Sequence, residues 1–381
     1  MRLTTKISSV ALLTALSLPA NSATFVADAR GNGMGNTGVT SADYLLGAFY
    51  NPALVAVHRE NDNFGLLLPS IGANVRDGDE SLKVIDDLQD TIERFDPNNP
   101  DPATEDQLNA YLDQLADDKP LGVNGGAGAA VAFPINTLSA NVFVRGYADV
   151  IGKTNIADDS DTQDRYENST VNLWAFGYTE VGVALAKRIT LSGQDIAIGV
   201  TPKYQELRTY KETISVEDFD ISDYDQSENK QSHFNMDLGV VWFYQNFRLG
   251  IAAKDLFSKD IETLDGLDKY AFNTQVTASG SYVSDYFVAA LDVDLTKQER
   301  FEVSALGVED DTQFVRFGIE GNAFGWAQLR LGYQVDLEET LDDSVTVGLG
   351  ISPGDLVSLD FAGSYSGDNQ FGASANLAFT F

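Results

Sequence analysis

Few side chains in this chain are placed to do covalent chemistry. The chain has no cysteine and only two histidines, His58 and His233. Thiol nucleophiles, thiolate metal sites and a disulfide framework are therefore excluded, and a multi-histidine metal site is not available. Neither histidine stands in a recognisable pairing with Ser and Asp, and no G-x-S-x-G elbow occurs. The one cofactor-like motif is Gly33-Met34-Gly35-Asn36-Thr37-Gly38, which fits G-x-G-x-x-G. That pattern means a dinucleotide site only between a strand and a helix of a βαβ unit. No strand precedes it here and no βαβ pattern follows, so its glycines read as a tight turn that packs closely against a wall. No enzyme and no cofactor are expected.

Charge narrows the partners. Fifty-seven acidic residues face 25 basic ones, a formal net charge of −32. Nucleic acid is excluded, since phosphate neutralisation needs clustered Lys and Arg. The acidic stretches DGDE (77–80) and DFDISDYDQSE (218–228) place oxygen ligands at alternate positions, as hard cations require, yet neither matches an EF-hand and such runs are commonly solvated faces. An acidic outer rim would repel anionic solutes or bind the divalent ions that bridge lipopolysaccharide.

The elements that must carry these residues are strands. Residues 1–23 have Arg2 and Lys6, an apolar run from Ile7 to Leu18 and a small-residue end, which is the pattern of an export signal. That run is too short to span a bilayer as a helix, which takes about 20 residues. Beyond residue 120 apolar and polar residues alternate with period two. In the last segment Phe371, Ala373, Ala375, Leu377, Phe379 and Phe381 share one face, and Gly372, Ser374, Asn376 and Thr380 share the other. Fourteen such segments fall at 64–75, 122–134, 137–150, 173–187, 195–211, 232–245, 246–257, 271–283, 286–296, 312–322, 326–336, 343–352, 356–366 and 372–381. Long and short connections alternate between them, including long loops at 258–270 and 297–311. That is the habit of bacterial outer-membrane barrels, which have an even strand number, short periplasmic turns and longer outward loops. Every backbone donor and acceptor must be satisfied in a bilayer, so with no long apolar helix the closed barrel is what remains. The expected fold is an all-β, 14-stranded antiparallel transmembrane barrel. Aromatics near strand ends, Trp174, Trp242 and Trp326 among them, are expected in the interfacial girdles.

Two regions depart from period two. In 79–95, Leu82, Ile85, Leu88, Ile92 and Phe95 recur at three and four residues, which is helical spacing. A capping box at Thr104-x-x-Gln107 opens a second helix. This pair, the insert 79–118 in the first extracellular loop, either packs on itself as a lid or offers its stripe for ligand capture. On the polar strand faces Arg248, Lys254, Asp292, Asp294, Arg316, Glu320, Arg330 and Asp360 are expected to line the lumen. They form either a structural network or a solute path.

The segment FVADARGNGMGNTGVTSADYLLGAFYNPALVA (25–56), with its Asn51-Pro52-Ala53 element, resembles the start of FadL-like outer-membrane barrels. Together with DNFGLLLPSIG (62–72) it is most similar to the barrel family described as TraF-type conjugal transfer proteins of gammaproteobacteria. The resemblance implies an N-terminal plug over 24–61, with Gly33, Gly35, Gly38, Asn51, Pro52 and Ala53 as plug or gating residues, and a barrel over 62–381. It also implies passive uptake of small hydrophobic or amphipathic solutes, or else a structural envelope role associated with conjugative transfer. Expected partners are outer-membrane lipid, lipopolysaccharide, hydrophobic small molecules, and the barrel assembly machinery through the C-terminal strand ending in Phe381.

Overall fold

The computed structural model describes residues 26–219, 227–302 and 310–381. The export signal proposed for 1–23, and most of the acidic run 218–228, lie outside the described residues. Fourteen strands close into one antiparallel barrel. In chain order these are β1 (Gly65–Arg76), β2 (Leu121–Phe133), β3 (Ser139–Asn155), β4 (Thr170–Leu191), β5 (Gln194–Ser215), β6 (Asn229–Tyr244) and β7 (Phe247–Lys254). The short strands β8 (Lys259–Glu262) and β9 (Lys269–Phe272) then intervene. The barrel resumes with β10 (Gln275–Val283) and β11 (Phe287–Asp294), and β12 (Phe301–Glu302) intervenes again. It ends with β13 (Phe314–Ala323), β14 (Ala327–Asp336), β15 (Ser344–Ile351), β16 (Val357–Gly367) and β17 (Gln370–Thr380), and β1 pairs with β17 to close the ring.

Period-two sequence becomes a two-faced wall. Leu249, Ile251, Leu329, Val347, Leu349 and Phe361 point outward and are exposed, as a lipid-facing belt requires. Their neighbours Arg330, Asp360, Thr346 and Asn376 point inward and are buried. β1 breaks register between Leu67 and Ser70 against both β17 and β2, a bulge that bends the wall at the seam of the barrel. β4 and β5 are each 22 residues long, about twice the 9–11 residues a spanning strand needs, so their outer halves stand above the bilayer.

Three expectations are corrected by the fold. The run 271–283 divides: Lys269–Phe272 joins β8 and β12 in a separate three-stranded sheet, and only Gln275–Val283 enters the barrel. The loops 258–270 and 297–311 thus contribute strands to a cap. Trp174 is not a girdle residue. It is fully buried beside Phe176 and Tyr178, facing that small sheet, and its indole N–H donates to Asp268 at 3.1 Å. The second loop helix is capped one turn earlier than Thr104, by Asp101, whose carboxylate accepts from the Thr104 amide and hydroxyl, with Pro102 in the first helical turn.

The helices Ser81–Ile92 and Pro102–Ala116 form the lid of the first long loop. Ile85, Leu88 and Ile92 meet Leu108, Leu112 and Leu115, and Val171 and Leu173 of β4 complete this core. Phe95 packs edge-on against Tyr166 at 6.3 Å, and Leu82 is half-buried. The stripe read as a capture surface is consumed by the lid's own core, because its apolar side chains are buried between the two helices and the outer end of β4. Asp77 and Asp79 are likewise engaged by backbone amides of Ser81 and Lys119.

Replacing Leu112 by Ala should cost the lid about 2–5 kcal/mol, the range for a buried Leu. The check is proteolysis in detergent. Cleavage within 77–120 should accelerate while the barrel keeps its heat-modifiable electrophoretic mobility.

Candidate functional site: the plug and its seat

Residues 26–57 fill the barrel from its turn end, without contributing a strand to the wall. They form a short helical turn at Ala29–Asn32, a second at Gly47–Tyr50, and a 3-10 turn at Pro52–Ala56. Nearly every side chain in them is buried. Asn51 caps the last turn. Its side-chain oxygen accepts from the Ala53 amide at 3.0 Å, its amide nitrogen donates to the Val39 carbonyl at 3.0 Å, and Pro52 starts the turn. Asp28 caps the first, accepting from the amides of Arg30 and Gly31 and from the Tyr50 hydroxyl. Burial pushes the Asp28 carboxyl up to about 6 from 3.8. Its desolvation therefore opposes seating at neutral pH, and that opposition lifts progressively as pH falls from 6 toward 3.8.

The GMGNTG motif is where this segment touches the wall most closely. Gly35 has φ +67°, a region that a side chain adopts only at a cost. Its amide donates to the Thr346 hydroxyl at 2.9 Å. Opposite it lies Gly332 of β14, where a Cβ would overlap the Gly35 nitrogen. Gly33 lies against Gly348 of β15, about 3.0 Å from where its Cβ would stand. The Gly38 amide donates to Asp292 at 2.9 Å, and the Val39 amide to the same oxygen at 3.1 Å.

Charged wall residues hold the plug by name. Arg30 forms a two-pronged pair with Glu320, at 3.0 and 3.1 Å. Glu320 also accepts from Arg330 at 2.6 Å, and Arg330 reaches Asp360 at 2.6 Å. Asp360 accepts from Asn376, whose oxygen in turn receives the Ala29 amide at 2.7 Å. Arg248 donates to the Thr40 carbonyl at 3.2 Å. Arg316 and Asp294 pair with each other at 2.9 Å instead of touching the plug. Charges this dry survive only when each has partners.

Sequence reasoning missed a second network on the β3–β6 wall. Arg145 pairs with Glu180 at 2.6 Å, and the Lys203 ammonium lies 2.7–3.3 Å from Asp255, Asp237 and Glu180. Lys254, expected in the lumen, donates to the Phe49 carbonyl of the plug at 2.8 Å. The available signal was a single charge on the inward face beside outward valines, as in Val144-Arg145 and Glu180-Val181. Above this network Phe176 stacks on Tyr270 of the cap at 3.5 Å, with Phe272, Phe301 and Leu207 around them. Above the plug, between β1–β3 and β13–β17, a cavity of about 60 Å³ remains. The histidines take no part: His58 contacts the Arg59 carbonyl and His233 the Phe257 carbonyl.

The class that fold and plug define is a closed 14-stranded antiparallel β-barrel with its N-terminal segment inside it. Solved structures agree on the fold. The Ralstonia pickettii toluene transporter TbuX matches with a TM-score of 0.54 at 11% identity, over 96% of this chain and 100% of that one. A Pseudomonas aeruginosa FadL homologue matches with 0.53 at 11%, over 93% and 98%. The CymD monoaromatic hydrocarbon channel matches with 0.52 at 12%, over 93% and 97%. Among curated proteins none matches by sequence. Residues 48–294 match the family described as "F plasmid transfer operon, TraF, protein", and the chain belongs to that family.

Replacing Glu320 by Gln leaves Arg30 and Arg330 short of a charge partner and should weaken the seat by about 3–5 kcal/mol. Gly332→Ala should displace the plug by overlap alone. Hydrogen exchange over 26–57 should rise in both variants, whereas the outward Leu331→Ala should leave it unchanged.

Proposed function

We propose that the protein is an outer-membrane channel for passive uptake of small hydrophobic or amphipathic solutes, and that residues 26–57 are its gate. The observation that supports this most is the seat. The stopper is a separate segment bonded to the wall by side chains, so it can move without breaking the strand ladder. The names of the structural neighbours, toluene transporter and monoaromatic hydrocarbon channel, support the solute class. Above the plug a solute would meet a cavity lined by both polar groups and apolar side chains, Asn74 and Ser364 beside Val75, Phe314 and Phe371. That mixture suits amphipathic molecules.

In this reading the N-terminal 23 residues export the chain, the outward belt contacts lipid, the acidic loops meet lipopolysaccharide through divalent ions, and the strand ending at Phe381 engages the assembly machinery. The alternative is a closed envelope scaffold associated with conjugative transfer. It draws on the family's description and on the small size of the lumenal cavity.

The two readings separate in intact cells with a lipopolysaccharide outer leaflet, using uptake of a fluorescent hydrophobic naphthylamine. The channel reading expects uptake above the empty-vector level from the full chain, and several-fold faster uptake when 26–57 are deleted. Equal uptake from full chain, deletion and empty vector would favour the scaffold.

A further inference from the structure

The polar cavity above the plug has a composition that a hydrocarbon path does not need. Its wall joins amides and hydroxyls, Asn74, Asn124, Gln334 and Ser364 among them, and apolar side chains such as Phe314 and Phe371 to three arginines, Arg76, Arg300 and Arg316, and one carboxylate, Asp149. These groups come from strands on both sides of the β1–β17 seam and from β13–β15 across the lumen, so the site exists only because the barrel is closed. Its amides are already oriented: Asn74 donates to Asn124 at 2.8 Å, Ser364 donates to Asn74 at 3.2 Å, and Asn36 of the plug donates to Gln334 at 2.8 Å. The plug is therefore the floor of this cavity.

The arginines are not equivalent. Arg300 pairs with Asp149, and Arg316 pairs with Asp294 at 2.9 Å. Arg76, the last residue of β1, shares its inward face with Asn74 and has no ion-pair or hydrogen-bond partner among the described residues. Other carboxylates near the cavity are engaged. Asp336 accepts backbone amides from Gln313 and Leu341, and Asp342 accepts from Gln370. Asp149 and Asp336 are the carboxylates whose charge Arg76 feels, but Asp149 is bonded to Arg300 and Asp336 to backbone amides, so the Arg76 guanidinium faces the cavity without an ion pair of its own. A planar guanidinium fork matches a carboxylate with two parallel hydrogen bonds. The neighbouring amides and serines, each donor and acceptor, suit a hydroxyl beside that carboxylate. The volume, about 60 Å³, holds on the order of four or five waters at ~10–15 Å³ of such space each, so the ligand is small.

The geometry points to a binding site for a small hydroxycarboxylate, of the size of glycolate, with Arg76 receiving its carboxylate and the Asn74–Asn124–Ser364 group its hydroxyl. The site goes beyond the channel reading, since it can bind whether or not solutes cross. The acidic exterior, net −32 for the chain, keeps multiply charged anions away and leaves the site to small monoanions.

Calorimetric titration of the purified full chain in detergent tests this, with sodium glycolate, its neutral isostere glycolamide, and inorganic phosphate. The expected result is saturable glycolate binding that weakens at least tenfold in Arg76→Gln and partly recovers in Arg76→Lys, with glycolamide at least tenfold weaker on the unmodified chain. Should Arg76→Gln fail to fold, judged by heat-modifiable mobility, the glycolate and glycolamide comparison decides alone. Absent glycolate binding, equal binding of glycolamide, or unchanged binding in a folded Arg76→Gln overturns the site, and tighter phosphate than glycolate overturns the carboxylate assignment. Glycolate binding without dye uptake would overturn the channel reading and leave this one standing.

Discussion

The ion pair between Arg30 and Glu320 ties the charge of the plug to the barrel. Glu320 accepts a two-pronged pair from Arg30 and a third bond from Arg330, which continues the chain to Asp360, Asn376 and the Ala29 amide. The need for it follows from barrel geometry. About eight strands can be filled by their own side chains, but a wider ring encloses more than they fill. Here fourteen strands close, and a separate segment must occupy what remains. Once that segment carries charge into the dry interior, the wall must answer it, and the inward arginines and acids of β13–β17 do so. The outward face can then be wholly apolar, since all pairing is internal.

The second network obeys the same rule on the other side. Lys203 sits among three carboxylates and Arg145 balances the excess, so the β3–β6 wall is nearly neutral within. A chain of net charge −32 thus keeps its surplus acid outside the barrel wall, in loops and lid. Such separation lowers desolvation cost, because isolated buried charges are far more expensive than solvated ones. It also leaves Arg76 conspicuous, as a cation facing the cavity whose nearby acids, Asp149 and Asp336, are bonded to other groups.

Much of the fold was legible because period two reports which face of a strand is oily without needing tertiary knowledge. Val345, Val347 and Leu349 could be placed outward, and Thr346 inward, from alternation alone. What alternation cannot report is which loops fold back. The residues Lys269–Phe272 are as strand-like as the barrel strand that follows, and only contact with Phe176 and Arg300 draws them into the cap. For the same reason Trp174 read as an interfacial residue: its strand runs far past the bilayer, so a tryptophan there meets the cap and not the membrane. The lid stripe was read correctly as helical, but spacing cannot say whether a stripe meets a ligand or a second helix. Of the plug seat, the glycines were visible in sequence as small residues on polar faces. The close packing of Gly33, Gly35 and Gly38 against a wall was legible too, but not which wall residues meet them, because Gly35 and Gly332 lie almost 300 positions apart.

The central claim is that the plug must leave its seat for solute to pass. Thr40 of the plug and Ser279 of β10 place their hydroxyl oxygens 2.6 Å apart, and the native chain has no cysteine. In a Thr40→Cys, Ser279→Cys double variant a reversible disulfide would pin plug to wall without touching Glu320 or the polar cavity. Naphthylamine uptake in intact cells, measured before and after reduction, gives the most direct test. The account predicts uptake at the empty-vector level when oxidised and recovery on reduction; equal uptake in both states, above the empty-vector level, would contradict it.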